Sequence, residues 1–327
     1  MAKLVTIFGG SGFVGRYIAR RMAKDGWRVR VAVRRPNEAL FVKPYGVVGQ
    51  VEPILANIRD DASVRAAIHA SDAVVNCVGT FDAGGKNNFQ AVQNEGAARI
   101  ARIAAEEGVT SFVHISAIGA DVDGPSLYAQ SKGQGEAAVL EAFPNAMILR
   151  PSVIFGPEDN FFNRFAGMSR NTPVLPVAGA ETRFQPVYVD DVAAAAVLGV
   201  KGEAHGTYEL GGPDVATFRE LMQRMLDVVR RRRLIANIPF FVANIMGASF
   251  DLLSTLTGGL FRNAILTRDQ VRSLRVDNVV ADDAKTLSDL GIQATAMDAV
   301  LEDYLWPYRP SGQFSNITES AKNLRES

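Results

Sequence analysis

The chain has 327 residues, 47% of them hydrophobic and 21% charged, enough for one large α/β domain with an appended lobe. Lys+Arg and Asp+Glu both number 35, so no global field points to nucleic acid as a partner. A single cysteine, Cys77, excludes an internal disulfide and a cysteine-based zinc site, and no metal is expected.

The first strand is read over Leu4 to Phe8, an apolar run that suits a buried parallel strand. It begins so early that no signal peptide is expected, which suggests a cytoplasmic protein, although a mature organellar chain would look the same. Gly9, Ser11, Gly12, Phe13, Val14 and Gly15 follow, with the glycines in G-x-x-G-x-x-G spacing. Gly9 would allow the tight turn, Gly12 the approach of a diphosphate, and Gly15 close packing of helix on strand. The diphosphate would rest on the unpaired N–H groups of a helix running to about Lys24.

Strand two, Arg28 to Val33, leads into Arg34-Arg35. A ribose 2′-hydroxyl is normally met here by Asp or Glu, whereas two arginines suit a 2′-phosphate. Arg16 is placed to add to that site, so NADPH is the expected cofactor. Strand three, Val51 to Leu55, is followed by Asn57, Ile58 and Arg59-Asp60-Asp61, where the adenine edge would lie. Strand four, Ala73 to Val78, ends in Cys77-Val78-Gly79, a small-residue backbone able to pass under the cofactor. Cys77 reads as a small buried hydrophobe and not as a reactive thiol.

Further strands are read over Phe112 to Ser116 and Ala146 to Leu149, with helices near 61–70, 87–107 and 127–143. This alternation gives a Rossmann-type doubly wound parallel sheet with a smaller C-terminal lobe. The expected division is a cofactor-binding core over 1–150, a lobe interleaved with it over 151–305, and a polar tail over 306–327. Tyr128 and Lys132 form Y-x-x-x-K, one turn apart on one helix face. An ammonium there lowers a tyrosine pKa and makes it a usable acid/base. Ser116, at the end of its strand, could bind a carbonyl or alcohol. His114 reads as a packed strand residue.

These residues resemble the short-chain dehydrogenase/reductase superfamily, in its extended or atypical branch, over roughly residues 3–225. Gly9, Gly12, Gly15, Asn94, Ser116, Tyr128 and Lys132 fall where that family's motifs would. So do the runs Arg150 to Pro157, including Pro151, Ser152 and Val153, and Val187 to Val192. The resemblance implies Tyr128 as acid/base, Lys132 on the nicotinamide ribose and Ser116 on substrate.

A narrower resemblance rests on Arg150 to Arg164, Leu266 to Val271 and Val276 to Val280. These are similar to the NADPH-binding accessory subunit family of respiratory complex I, alpha subcomplex subunit nine, and its bacterial relatives. That family implies a structural or assembly role among the other subunits, near the membrane and the quinone site. For a bacterial protein this means the cytoplasmic face of the inner membrane. The alternatives are a free NADP-dependent reductase, dehydrogenase or epimerase, or an NADPH-sensing regulator.

Arg230 to Arg233 precede an uncharged stretch, Leu234 to Phe250, too short and interrupted to span a bilayer. From Pro239 a helix is expected, with Phe241, Ile245, Ala248 and Leu252 on one face. Beside the arginines this face suits anionic lipid or a partner helix, and 230–275 is the expected docking segment.

Overall fold

The computed structural model describes residues 2–81, 84–256, 267–310 and 312, with the side chains of 250–256 also left aside. Leu266, most of the polar tail, and the side chains of Asp251 and Leu252 therefore lie outside the described residues.

The strands are β1 Leu4–Phe8, β2 Arg28–Val33, β3 Val51–Leu55, β4 Ala73–Asn76, β5 Ser111–Ile115, β6 Met147–Pro151, β7 Ile154–Phe155, β8 Val174–Ala178, β9 Arg183–Phe184, β10 Val187–Tyr188, β11 Gly206–Leu210, β12 Ala216–Thr217 and β13 Leu234–Ile238. The α-helices are α1 Phe13–Lys24, α2 Asp61–Ile68, α3 Glu95–Glu106, α4 Leu127–Ala142, α5 Phe162–Asn171, α6 Val189–Lys201, α7 Phe218–Val228, α8 Phe240–Leu256, α9 Arg268–Ser273 and α10 Asp298–Leu305.

Two compact units are present. The first takes residues 1–152, 189–211 and 280–294. Its parallel sheet has the order β11-β6-β5-β4-β1-β2-β3. The order reverses beside β1, between β2 and β4, and there the C-terminal strand ends make a ligand crevice. All five residues of β1 are buried. Its one polar residue, Thr6, is satisfied by donating to the Ala67 carbonyl at 3.0 Å and pairing with the Ser71 hydroxyl at 2.8 Å. Asp60 caps α2 by accepting from the Ala62 and Ser63 amides, and Ser126 caps α4 by accepting from Ala129. Arg21 on α1 clasps Asp190 on α6 with two bonds of 2.8 Å.

The second unit takes residues 153–188, 212–279 and 295–327. Its core combines aliphatic residues such as Leu221, Met222 and Leu301 with an aromatic cluster, in which Phe161 stacks on Phe218 with centroids 5.4 Å apart and meets Phe162, Phe165 and Phe184 at steeper angles. Three small ladders, β7 with β10, β9 with β12 and β8 with β13, hold its backbone. Asp159 explains much of the Gly156 to Arg164 motif. One carboxylate oxygen accepts from the Phe161 and Asn163 amides, and the other accepts from Gly156 and from the Tyr304 hydroxyl at 2.6 Å. Burial pushes this carboxyl up, and the four donors act against that shift.

The 230–275 segment is partly structural. Arg231 donates to the Tyr308 carbonyl and Arg233 to that of Ser169, so two of the four arginines tie down this unit's own backbone. Val271, expected at a contact surface, is instead buried with Ala178 and Ala243, because α9 packs inward through it. On α8, Phe241 and Ile245 of the expected apolar face are 67% and 64% exposed and Ala248 is half-buried. Among the described residues no helix is long and apolar enough to cross a membrane.

Candidate functional site

The site lies wholly within the first unit. Gly9 turns the chain out of β1 with φ +73°, a left-handed conformation that favours glycine. A Cβ on Gly9 would press on the Cys77 backbone at 3.2 Å, so the loop lies directly against the end of β4. A Cβ on Gly15 would lie 2.5 Å from the Gly9 carbonyl oxygen, which fixes glycine there for helix–strand packing. Gly12 is exposed and extended and precedes α1, with no side chain capping the helix. The first intrahelical bond runs from Arg16 N–H to Gly12 O, so the N–H groups of Phe13, Val14 and Gly15 stand at an uncapped N-terminus. This is an anion cradle that fits a diphosphate.

The basic residues divide. Arg16 donates to the Ser11 and Gly12 carbonyls at 3.1 and 3.2 Å and lies over the Phe41 ring at 4.9 Å. It is held beside the cradle before any ligand arrives. Arg34 is exposed at the end of β2, and Arg35 forms an exposed ion pair with Glu38 at 3.1 Å. Beyond β3, Asn57 shapes a turn by accepting from the Arg59 amide, and its own amide donates to Ser63. Ile58 packs under α3, where a Cβ on Gly96 would meet it at 2.8 Å. Val78 donates its amide to the Asn76 side chain at 3.1 Å. Burial pushes the Cys77 thiol up to about 12, which keeps it protonated and unreactive at neutral pH.

At the end of β5 the second constellation assembles. Lys132 is buried, and its ammonium donates to the Ile115 carbonyl at 3.0 Å. A Cβ on Gly79 would be 3.9 Å from that nitrogen, so Lys132 addresses the end of β4 as well. Burial lowers Lys132 to about 8, against the opposing pull of the Glu136 carboxylate. Tyr128 is half-buried, and desolvation pushes its phenol up to about 12. The sequence reading expects Lys132 to lower this phenol, and the desolvation shift runs the other way.

The Ser116 hydroxyl is buried with no protein partner, as is His114 Nε2. An orphaned buried hydroxyl at this position fits a polar group brought by a ligand. His114 Nδ1 pairs with the Asn76 amide at 3.2 Å, and burial, then the Lys132 charge, lowers the imidazole to about 3. It is a packed neutral residue and not a base. Pro151 and Ser152 are held by backbone bonds, Ile118 N–H to Pro151 O and Ser152 N–H to Leu210 O. Val153 belongs to the second unit, where its carbonyl accepts from Val187.

The π turn with its Gln93 contacts, and the rings of Phe81 and Phe89, escaped the sequence reading, whereas Asn94 was among the motif residues. Residues Gln90–Asn94 form a single π turn ahead of α3, a device often found at functional sites. It turns Gln93 inward, where its amide donates to the Thr80 carbonyl and its oxygen accepts from Ser131. Asn94 donates to Gln134 on α4. Phe81 and Phe89 flank the Tyr128 ring. An aromatic two residues past Gly79 was the available signal for Phe81.

The profile of the NAD dependent epimerase/dehydratase family matches residues 5–211. The chain is 34% identical over 326 residues to the NADH dehydrogenase [ubiquinone] 1 alpha subcomplex subunit 9, mitochondrial, of Arabidopsis thaliana, covering 98% of this chain and 81% of that protein. It is 31% identical over 256 residues to a ceramide reductase of Caulobacter vibrioides, covering 78% of this chain and 79% of that one. The fold resembles the NADPH-dependent quinone oxidoreductase QOR2 of Escherichia coli, with TM-score 0.69, 19% identity, and 92% and 98% of the two chains covered. The glycine cradle, the switch-point sheet and the matched profile agree: this chain belongs to the NAD dependent epimerase/dehydratase family, and within it to the group that includes the alpha subcomplex subunit 9 proteins.

Proposed function

We propose that this protein is an NADPH-binding accessory subunit of a complex I-type NADH:ubiquinone oxidoreductase, with a structural or assembly role. The observation that carries this reading is the 34% identity to a subunit 9 protein along 98% of the chain. The cradle at Gly9 to Gly15 would hold the diphosphate, and Arg16 and Arg34, with Arg35 once released from Glu38, would meet the 2′-phosphate. Lys132 and Tyr128 would hold the nicotinamide ribose, and Ser116 a polar group beside it. Bound NADPH supplies hydride chemistry in principle, but in this reading its role is to complete and brace the fold. The exposed Phe241–Ile245 face of α8 would meet other subunits or lipid at the cytoplasmic membrane surface, with Arg230 and Arg232 beside it.

The test is purification of the respiratory complex from membranes, followed by native gels and quantification of released NADPH. Co-migration with one equivalent of NADPH is the expected result. A second reading, a free NADP-dependent reductase, is favoured by the intact Tyr128–Lys132 pair and by the 31% identity to a ceramide reductase. A protein found only in the soluble fraction, with NADPH turnover, would select that reading.

A further inference from the structure

Phe81 is 70% exposed although it sits beside the candidate acid/base. Its ring stacks on Tyr128, with centroids 5.4 Å apart and planes 14° apart. Phe89, which is buried, meets the same Tyr128 ring edge-on at 6.0 Å. The three rings come from three separate places in the chain: the segment after β4, the residue before the π turn, and the first turn of α4.

The arrangement is anchored. Gln93, 2% exposed, holds the Thr80 carbonyl with its amide and the Ser131 hydroxyl with its oxygen. One buried side chain therefore fixes both the residue that presents Phe81 and the helix that presents Tyr128. A Cβ on Gly135 would lie 2.2 Å from the Gln93 carbonyl oxygen, so the backbone of the π turn is pressed against α4. An exposed phenylalanine held this way offers an apolar surface to a ligand.

Two polar groups of the same site accompany the rings. Ser116 presents a buried hydroxyl with no protein partner. Lys132, one helical turn from Tyr128, is buried and donates to Ile115. An apolar body with one carbonyl oxygen meets both features, because the rings cover the body and a hydroxyl receives the oxygen.

We infer that Phe81, Phe89 and Tyr128 form a ligand subsite for an apolar carbonyl compound, such as a ketone on an alkyl chain, with Phe81 as its specificity-determining residue. This rests on the reading of the cradle as an NADPH site and adds a second ligand beside it.

The test uses the full-length protein loaded with NADPH, titrated by calorimetry with 2-undecanone and, separately, with UDP-glucose. The expected result is saturable ketone binding and none for UDP-glucose. Phe81→Ala should weaken the ketone about tenfold, equivalent to about 1.4 kcal/mol, while Phe81→Leu keeps most of the affinity. NADPH retention and melting temperature, measured on each variant, report whether the fold and the cofactor site survive the substitution. UDP-glucose binding without ketone binding, or equal ketone affinity in Phe81→Ala and the wild type, overturns the subsite. Loss of NADPH from the wild type itself would instead overturn the cofactor reading.

Discussion

Arg150 grips Glu136 through two arms of its guanidinium: Nε donates to Oε1 at 3.0 Å, and Nη2 donates to Oε2 at 2.6 Å. Glu136 is almost fully buried, and Arg150 also faces Glu209 at 3.6 Å. The pair joins α4 to β6, and α4 is the helix that carries Tyr128 and Lys132. Removing one partner of a buried pair strands the other charge, which costs roughly 3–5 kcal/mol. Arg150→Met should therefore lower the denaturation midpoint sharply, and Glu136→Met with Arg150→Met together should lower it less. A double variant as unstable as the single one would show that the pair's hydrogen bonds, and not the stranded charge, dominate.

The glycine cradle makes a steric prediction. Gly15→Ala places a methyl group 2.5 Å from a backbone oxygen, and a backbone atom cannot rotate away as a side chain can. Overpacking of this kind costs about 1–3 kcal/mol. The variant should melt lower than the wild type and lose retained NADPH on gel filtration. Unchanged melting with full cofactor content would mean that α1 is free to move off the loop.

Cofactor choice separates the basic residues. Arg34→Ala with Arg35→Ala, or Arg16→Ala alone, should weaken NADPH by roughly tenfold or more while changing NADH little. Glu38→Gln should act oppositely for NADPH, because it frees Arg35 from its exposed partner. Calorimetry with both cofactors reads all three, and equal losses for NADPH and NADH would remove the 2′-phosphate assignment.

His114 gives the fold a pH dependence. Its imidazole takes a proton near 6.5 in the unfolded chain but only near 3 in the folded one. Between those values the unfolded state binds more protons, so stability is full above pH 6.5 and falls as pH drops. The limiting slope is about 1.4 kcal/mol per pH unit. Urea denaturation between pH 6.5 and 5, above the usual carboxylate range, should show this loss, and His114→Met should flatten it. The same slope in both proteins would assign the loss to other groups.

The α8 surface is testable apart from the arginines. Phe241→Asp with Ile245→Asp changes two exposed side chains and should leave folding and NADPH content intact. If that face docks, the protein should move from the membrane fraction to the soluble one. Retention with the respiratory complex would exclude the face as the dock.

Much of the first unit was legible because its signals are local. Leu4 to Phe8 was read to the residue, since a buried parallel strand is an uninterrupted apolar or β-branched run between breakers. The region 87–107 read simply as helix, because one extra residue in a turn leaves the 3.6-residue pattern almost unchanged. The π turn at Gln90–Asn94 therefore left no sequence signal of its own. Within the site, the glycines and the Tyr128–Lys132 spacing announced themselves. Gln93 did not, because its two partners, Thr80 and Ser131, lie 13 and 38 residues away. The bonds made by Arg231 and Arg233 were hidden for a similar reason: their carbonyl acceptors, on Tyr308 and Ser169, are distant in sequence. A run of like charge does not reveal which members turn inward.

The first unit is assembled from three separate stretches of chain, and its sheet is finished by β11. During synthesis β1 to β6 leave the ribosome well before residues 206–210 do. For that interval the hydrogen-bonding edge of β6 is bare, and an open strand edge invites pairing with other chains. The 36 residues between β6 and α6 that belong to the second unit, 153–188, lengthen this window. At about 5–20 residues per second the wait is on the order of several seconds. Expression at lower temperature or with added chaperones should therefore raise the soluble yield more than any substitution at the cofactor cradle, because the hazard arises before that cradle can be filled.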